Sequence, residues 1–237
     1  MVVQLATRLA QRVPVTLVTS LFCIVAGVLQ IVTSIVTSSY QIGIPGVCTL
    51  VFGTTKVWAL HQHNKTLRIA DSDRIKAITH TTVTRITACA VSVTLLYCAL
   101  YVVNAYLVDA APPSHELIYL YYSVAWALVA IVIAVVNIIV TRKHETVILH
   151  FMKLLDNANA LIALALAQKV IFYYAGLPNA RLRSGIGGIL LSSIAGAICL
   201  VMLRRYQRNR ISRATPKPAT ALIIVGFFIF LMAPAVF

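Results

Sequence analysis

The sequence predicts an all-α, polytopic membrane protein with about seven transmembrane helices, or about six if the last apolar run does not cross the bilayer. Composition is the first reason: 60% of the 237 residues are hydrophobic and only 11% are charged, with a mean hydropathy of +0.89. Soluble domains need far more charged surface than this. The second reason is the recurrence of apolar runs near or above the roughly 18 residues that span a bilayer. Residues 1–237 are therefore predicted to form a single integral membrane domain.

The predicted spans alternate with polar or basic connections. They cover residues 13–38, 42–59, 86–108, 117–141, 157–175, 186–203 and 219–237, and the second and last carry the weakest signal. The first run follows Arg8 and Arg12, as the apolar core of a signal peptide would. It is about twice as long as such a core, so it is expected to remain as a membrane anchor.

The formal net charge of +14 is informative because of where the cations lie. With the N-terminus in the cytoplasm, most Lys and Arg residues fall in cytoplasmic segments, above all in the loop 61–85 and the basic linker 204–218. Because Lys and Arg are enriched on that side of membrane proteins, this orientation in the plasma membrane is predicted, with Phe237 outside. The charge therefore predicts contact with anionic lipid head groups and not with nucleic acid.

Residues 142–156 predict an amphipathic helix in the cytoplasmic membrane interface. Thr146, His150, Lys153 and then Asn157 recur at helical spacing, and apolar residues fill most of the positions between them. A helix of this kind lies along the membrane surface. From Asn157 the chain is expected to turn into the bilayer as an alanine-rich, thin helix that a neighbouring helix can approach closely.

The sixth predicted span carries a stripe of small residues. Ser184, Gly188, Ser192 and Gly196 fall at every fourth position and so occupy one face of the helix. Small side chains let two helix backbones approach closely, so the stripe is predicted to be a packing surface and not a substrate path.

Polar and aromatic residues inside the spans predict a candidate ligand pocket in the outer leaflet. Its members are Tyr97, Tyr101, Asn104, Tyr122, Trp126 and Lys169. Lys56, Asn137, Asn159 and Gln168 are the other polar residues noted within spans. Such residues are costly in hydrocarbon unless they are satisfied, so they are natural functional candidates. No acidic residue is expected deep in any span, which counts against a proton-coupled transporter.

Catalytic and metal sites are not predicted. His61 and His63, and then Asp71 and Asp73, form HxH and DxD pairs, but solvated loops produce such pairs often and no further ligand cluster lies at a fixed spacing. No catalytic motif places a base near a nucleophile. The five cysteines lie within predicted spans and form no CxxC pair. No cofactor is expected.

Residues 117–205 resemble a family of small polytopic membrane proteins of Gram-positive bacteria that has no established function. The segments that carry the resemblance are NIIVTRKHETVIL, DNANALIALALAQ and SGIGGILLSSIAG. The resemblance implies a helical membrane fold and no mechanism. A second resemblance, to cation diffusion facilitators, fails at its central feature, because His150 and Asp156 are six residues apart and do not share a helix face.

Two classes of function remain open. The first is a non-enzymatic membrane protein that acts as a partner, a sensor-like subunit or a structural subunit. Its predicted assembly is with another membrane protein or as a homo-oligomer. The second is a transporter or a binder of small ligands or lipids that uses the outer-leaflet pocket. Metal-cation transport is the runner-up within the second class.

Overall fold

The computed structural model describes residues 13–37, 40–106, 116–139, 146–176 and 178–208, with side chains for 16–36, 43–103, 121, 123–134, 146–176 and 178–208. All regular secondary structure in these residues is helical. The helices are α1 (Val13–Thr37), α2 (Tyr40–Thr66), α3 (Ser72–Tyr106), α4 (Glu116–Ile139), α5 (Val147–Tyr174) and α6 (Ala180–Gln207). The all-α fold class is thereby confirmed for the described residues.

Over the residues whose side chains are described, five helices are long and apolar enough to cross a bilayer, namely α1, α2, α3, α5 and α6. Within α4 the described apolar part is the shorter segment Ser123–Ala134. These lengths are compatible with a multi-pass membrane protein. The seventh predicted span, 219–237, and most of the basic linker 204–218 lie outside the described residues, so seven spans are not confirmed.

Helices α1 and α2 pack against each other as an antiparallel pair. Glycines make the contact close: a Cβ atom on Gly27 would lie 2.7 Å from the backbone nitrogen of Leu50, and one on Gly53 would lie 2.9 Å from that of Ile24. On α1, Ser20, Gly27 and Ser34 recur every seven residues along this surface. Small residues at this spacing allow the two backbones to touch.

The polar segment 61–85, expected as a loop that is partly helical, is mostly helix. Helix α2 continues to Thr66 and α3 begins at Ser72, so only residues 67–71 connect them. Asp71 begins α3 with an N-cap geometry, in which its Oδ1 accepts a hydrogen bond of 2.9 Å from the backbone N–H of Asp73. Asp73 in turn pairs with Lys76 at 3.1 Å.

The separate interfacial helix predicted at 142–156 is not confirmed. Residues 142–145 lie outside the described part of the chain, and residues Val147–Tyr174 form one continuous helix of 28 residues. No Gly or Pro interrupts this run of good helix formers, so nothing in the backbone favours a turn at Asn157. Helix α5 ends at Tyr174, and Gly176, two residues later, has a φ of 61°, which suits a glycine just beyond the last helical turn.

The backbone divides into two compact units. The first comprises Met1–Cys89 with Thr146–Met152, and it contains the α1–α2 pair and the start of α3. The second comprises Ala90–Glu145 with Lys153–Phe237, and it contains the rest of α3, α4, most of α5 and α6. The sequence-predicted pocket and stripe both belong to the second unit.

Candidate functional site

The tyrosines of the predicted pocket lie on one buried face of α3. Tyr97 and Tyr101 are one helical turn apart, so their side chains point the same way. Their rings stack with centroids 6.4 Å apart and an interplanar angle of 30°. They are only 3% and 2% exposed, so protein surrounds both rings.

The small-residue stripe of α6 faces the same part of α3. All four stripe residues are buried. A Cβ atom on Gly188 would overlap the ring of Tyr101, and one on Gly196 would lie 2.9 Å from the Oγ1 of Thr94. The stripe and the tyrosine pair are therefore two sides of one helix–helix contact, in which the Tyr101 ring fills the space that Gly188 leaves.

The remaining members of the predicted pocket lie on other elements or beyond the described side chains. Trp126 on α4 is buried at 8% exposure, and Lys169 on α5 is half-buried. Asn104 and Tyr122 lie in α3 and α4, but their side chains are outside the described residues. Of the predicted pocket members, the structure shows Tyr101 in contact with the stripe, at Gly188.

Gln168, next to Lys169, is the most unusual polar group in the second unit. Its side chain is fully buried, and neither its amide oxygen nor its amide nitrogen has a hydrogen-bond partner. The amide lies flat against α6, where a Cβ atom on Gly187 would be 2.6 Å from the oxygen. A buried amide without hydrogen bonds costs free energy of folding, so Gln168 lowers the stability of the fold.

Helix α5 also carries a buried polar group near its first third. Asp156, Asn157 and Asn159 are 4%, 4% and 8% exposed. Asp156 lies nine residues beyond Val147, about 13.5 Å along the helix at 1.5 Å per residue. Asp156 therefore lies within the long apolar helix Val147–Tyr174, whereas the expectation of no acidic residue deep in a span assumed a membrane helix that begins only at Asn157. That expectation stays a prediction.

The first unit holds two buried basic side chains on one face of α2. Lys56 and His63 are both fully buried and seven residues apart, and Thr49, seven residues earlier, is 3% exposed. The Nζ of Lys56 lies 3.8 Å from the Sγ of Cys23. The Nδ1 of His63 lies 3.3 Å from the Oγ1 of Thr146. The seven-residue spacing of Thr49, Lys56 and His63 is visible in the sequence and indicates one helix face. This signal was missed because His63 was predicted to lie in a loop.

The HxH and DxD pairs lie on helices or at a helix end, where their members have different surroundings. His61 is exposed while His63 is buried, as expected for residues two apart on a helix, and Asp71 and Asp73 begin α3. Among the described residues, no group of three or more His, Cys, Asp or Glu side chains could hold a metal ion.

The described residues form an all-helical fold whose five long apolar helices are compatible with a multi-pass membrane protein. No protein family, no curated protein and no solved structure matches the chain. The resemblance of residues 117–205 to the Gram-positive family therefore stays a prediction.

Proposed function

We propose that this chain is a non-enzymatic, multi-pass protein of the plasma membrane that acts as a partner subunit, either structural or sensor-like. The observation that carries the proposal is the closed contact between α3 and α6. The side chains of Tyr97 and Tyr101 are buried, and the Tyr101 ring fills the notch at Gly188. Aromatic side chains packed in this way stabilise a fold, and the ring of Tyr101 fills the space beside Gly188.

The orientation that we propose has the N-terminus and the connection between α2 and α3 in the cytoplasm and Phe237 outside. The Lys and Arg residues of the connecting segments support this assignment. Fusions of alkaline phosphatase and of green fluorescent protein to the C-terminus test it. An active phosphatase and a dark fluorescent protein are expected, and the opposite pair of results would indicate an even number of spans.

A transporter or small-ligand binder is the second candidate, and one specific observation favours it. Asp156 and Asn157 are buried well inside α5, and the Oδ1 of Asn157 has no hydrogen-bond partner. Buried ionisable residues in membrane helices are functional candidates, because they often mark substrate or proton paths. Metal-cation transport has no observation of its own in its favour.

A thermal-shift screen separates the two candidates. The purified protein, in nanodiscs, is heated with metals, lipids and small solutes in turn. Under the first proposal no small solute raises the melting temperature through the predicted pocket. A solute that stabilises the wild type but not Lys169→Met would instead show that the half-buried Lys169 holds a ligand, and would overturn the proposal.

Asp156→Asn and Asn159→Ala form a matched pair for the second candidate. Both change a buried polar residue of the same helix, but only the first removes an ionisable group. A solute response that Asp156→Asn abolishes and Asn159→Ala retains would support a transport or binding function at Asp156. If both variants keep the stabilisation by the solute, Asp156 is not needed for binding, and the second candidate loses its support.

A further inference from the structure

A small groove lies in the first unit between the end of α2 and the start of α3. Its volume is about 240 Å³, and it is lined by Trp58, Gln62, Ala77, Ile78, Thr81, Thr82 and Arg85. Trp58 and Gln62 are one turn apart on α2, and Ala77, Thr81 and Arg85 follow one another at single-turn intervals on α3. The two helices thus contribute one continuous face each.

Arg85 is the charged group of this groove. Its guanidinium carbon lies 5.5 Å from the ring centroid of Trp58, a cation–π distance. The side chain is exposed, and no carboxylate of the described residues pairs with it; the exposed ion pair nearby joins Asp73 to Lys76. An indole that stacks on the guanidinium fixes its plane and leaves its N–H edge available. That edge matches two oxygens of a phosphate group.

The size and chemistry of the groove select a small anionic group. Drug-sized ligands occupy roughly 300–1,000 Å³, whereas a water molecule needs about 30 Å³. The groove therefore suits a phosphate with part of its glycerol, beside which the Thr81 hydroxyl and the Gln62 amide supply further hydrogen-bond donors.

We infer that this groove binds the phosphate of an anionic phospholipid head group. Two features favour a lipid over free phosphate. Trp58 and Ile78 give the groove an apolar side, and tryptophan is typical of the level of lipid head groups. The adjoining helix ends and their connection carry cations that attract an anionic membrane surface, namely Lys65, Arg68, Arg74 and Lys76. The inference rests on the proposed membrane placement of these helix ends, but not on the partner function.

Lipid retention by the full chain tests the site. The protein is purified in detergent with phosphatidylglycerol or phosphatidylcholine, and bound lipids are counted by native mass spectrometry. Wild type should retain phosphatidylglycerol preferentially. Arg85→Gln should weaken this binding about tenfold or more, because a bidentate charged contact is lost. Arg74→Gln is the matched control, since it removes an exposed cation of the same helix that does not line the groove.

Fluorescence of the folded protein gives a second measurement, whose main comparison leaves Arg85 in place. In a Trp126→Phe background, Trp58 is the one remaining tryptophan of the 2 in the chain. Brominated phosphatidylglycerol in nanodiscs should quench Trp58 more than brominated phosphatidylcholine does, and Arg85→Lys should retain part of the difference. Nanodiscs expose both membrane faces, so the result does not depend on the proposed orientation.

Three outcomes would overturn the inference. If the protein retains the two lipids equally and both quench Trp58 equally, Arg85 does not select an anionic head group and only anchors the helix at the membrane surface. Equal losses in Arg85→Gln and Arg74→Gln would indicate a diffuse charge effect. Displacement of the lipid by millimolar inorganic phosphate alone would identify a site for soluble phosphate instead.

Discussion

The contact between Gly188 and Tyr101 can be tested by adding side-chain volume to the glycine. Leucine at position 188 would place its Cβ within the Tyr101 ring and three further carbons beyond it. The ring has no free space to move into, because Tyr101 is 2% exposed and stacks on Tyr97. Overpacking of a closed core costs about 1–3 kcal/mol, and these constraints favour the upper end, about 3 kcal/mol.

Leucine is a better test than alanine because any replacement of this glycine also gains helix propensity, which opposes the steric cost. Replacement of glycine within a helix gains about 1 kcal/mol of helix propensity. Gly188→Ala adds only one carbon, so the gain can offset much of its steric cost. Gly188→Leu has the same gain and a much larger clash, and its net effect should remain a destabilisation of about 2 kcal/mol or more.

The assay is thermal unfolding of purified protein in one detergent. A loss of about 2 kcal/mol lowers the melting temperature by roughly 4–8 °C for a chain of this size. Ala197→Leu, on the exposed side of the same helix, is the control and should change little. In a Gly188→Leu background, Tyr101→Ala should recover part of the loss, because removing the ring makes room for the leucine. Equal melting temperatures for Gly188→Leu, Ala197→Leu and wild type would refute the reasoning.

Three further substitutions test other contacts by the same unfolding assay. Gly27→Leu should destabilise the α1–α2 pair by about 1–3 kcal/mol, since its Cβ would meet the backbone of α2 at Leu50, while the exposed Val28→Leu should not. Asp71→Ala should lose about 1 kcal/mol of N-cap stabilisation, and Asp71→Asn should restore most of it. Gln168→Leu should leave the melting temperature unchanged or raise it, because the buried amide has no hydrogen bonds to lose; a clear fall would show that the amide binds something.

The fold class could be predicted from the sequence because hydropathy and length decide whether a helix can cross a membrane. The ends of the helices could not, because hydropathy measures polarity and not helix continuity. Helices α2 and α3 extend through most of the polar segment 61–85, and α5 continues through Asp156. Both stretches are polar yet mostly helical, because they contain no Gly or Pro, and only residues 67–71 separate α2 from α3.

The two halves of the α3–α6 contact were each visible in the sequence, but their pairing was not. Spacing shows that Tyr97 and Tyr101 share a face and that the stripe residues share another. Spacing does not show which helix faces which. From spacing alone, the tyrosines were therefore predicted to line a ligand pocket and the small-residue stripe to pack against another helix. The structure joins Tyr101 to Gly188, and the ligand predicted for the pocket stays a prediction.

The distribution of polar residues over the helices follows from what surrounds each helix. Only 28% of the apolar span of α1 is buried, and its exposed side chains include Leu, Val and Ile that can contact lipid. In contrast, 83% of the apolar span of α5 is buried. A charged or amide side chain on the lipid face of α1 would meet hydrocarbon, but on α5 it meets other protein groups, where its cost is lower. Asp156, Asn157 and Gln168 are therefore tolerated on α5 because this helix is enclosed. Since tolerance does not explain why costly groups are present at all, α5 is the helix in which a function beyond packing should be sought first.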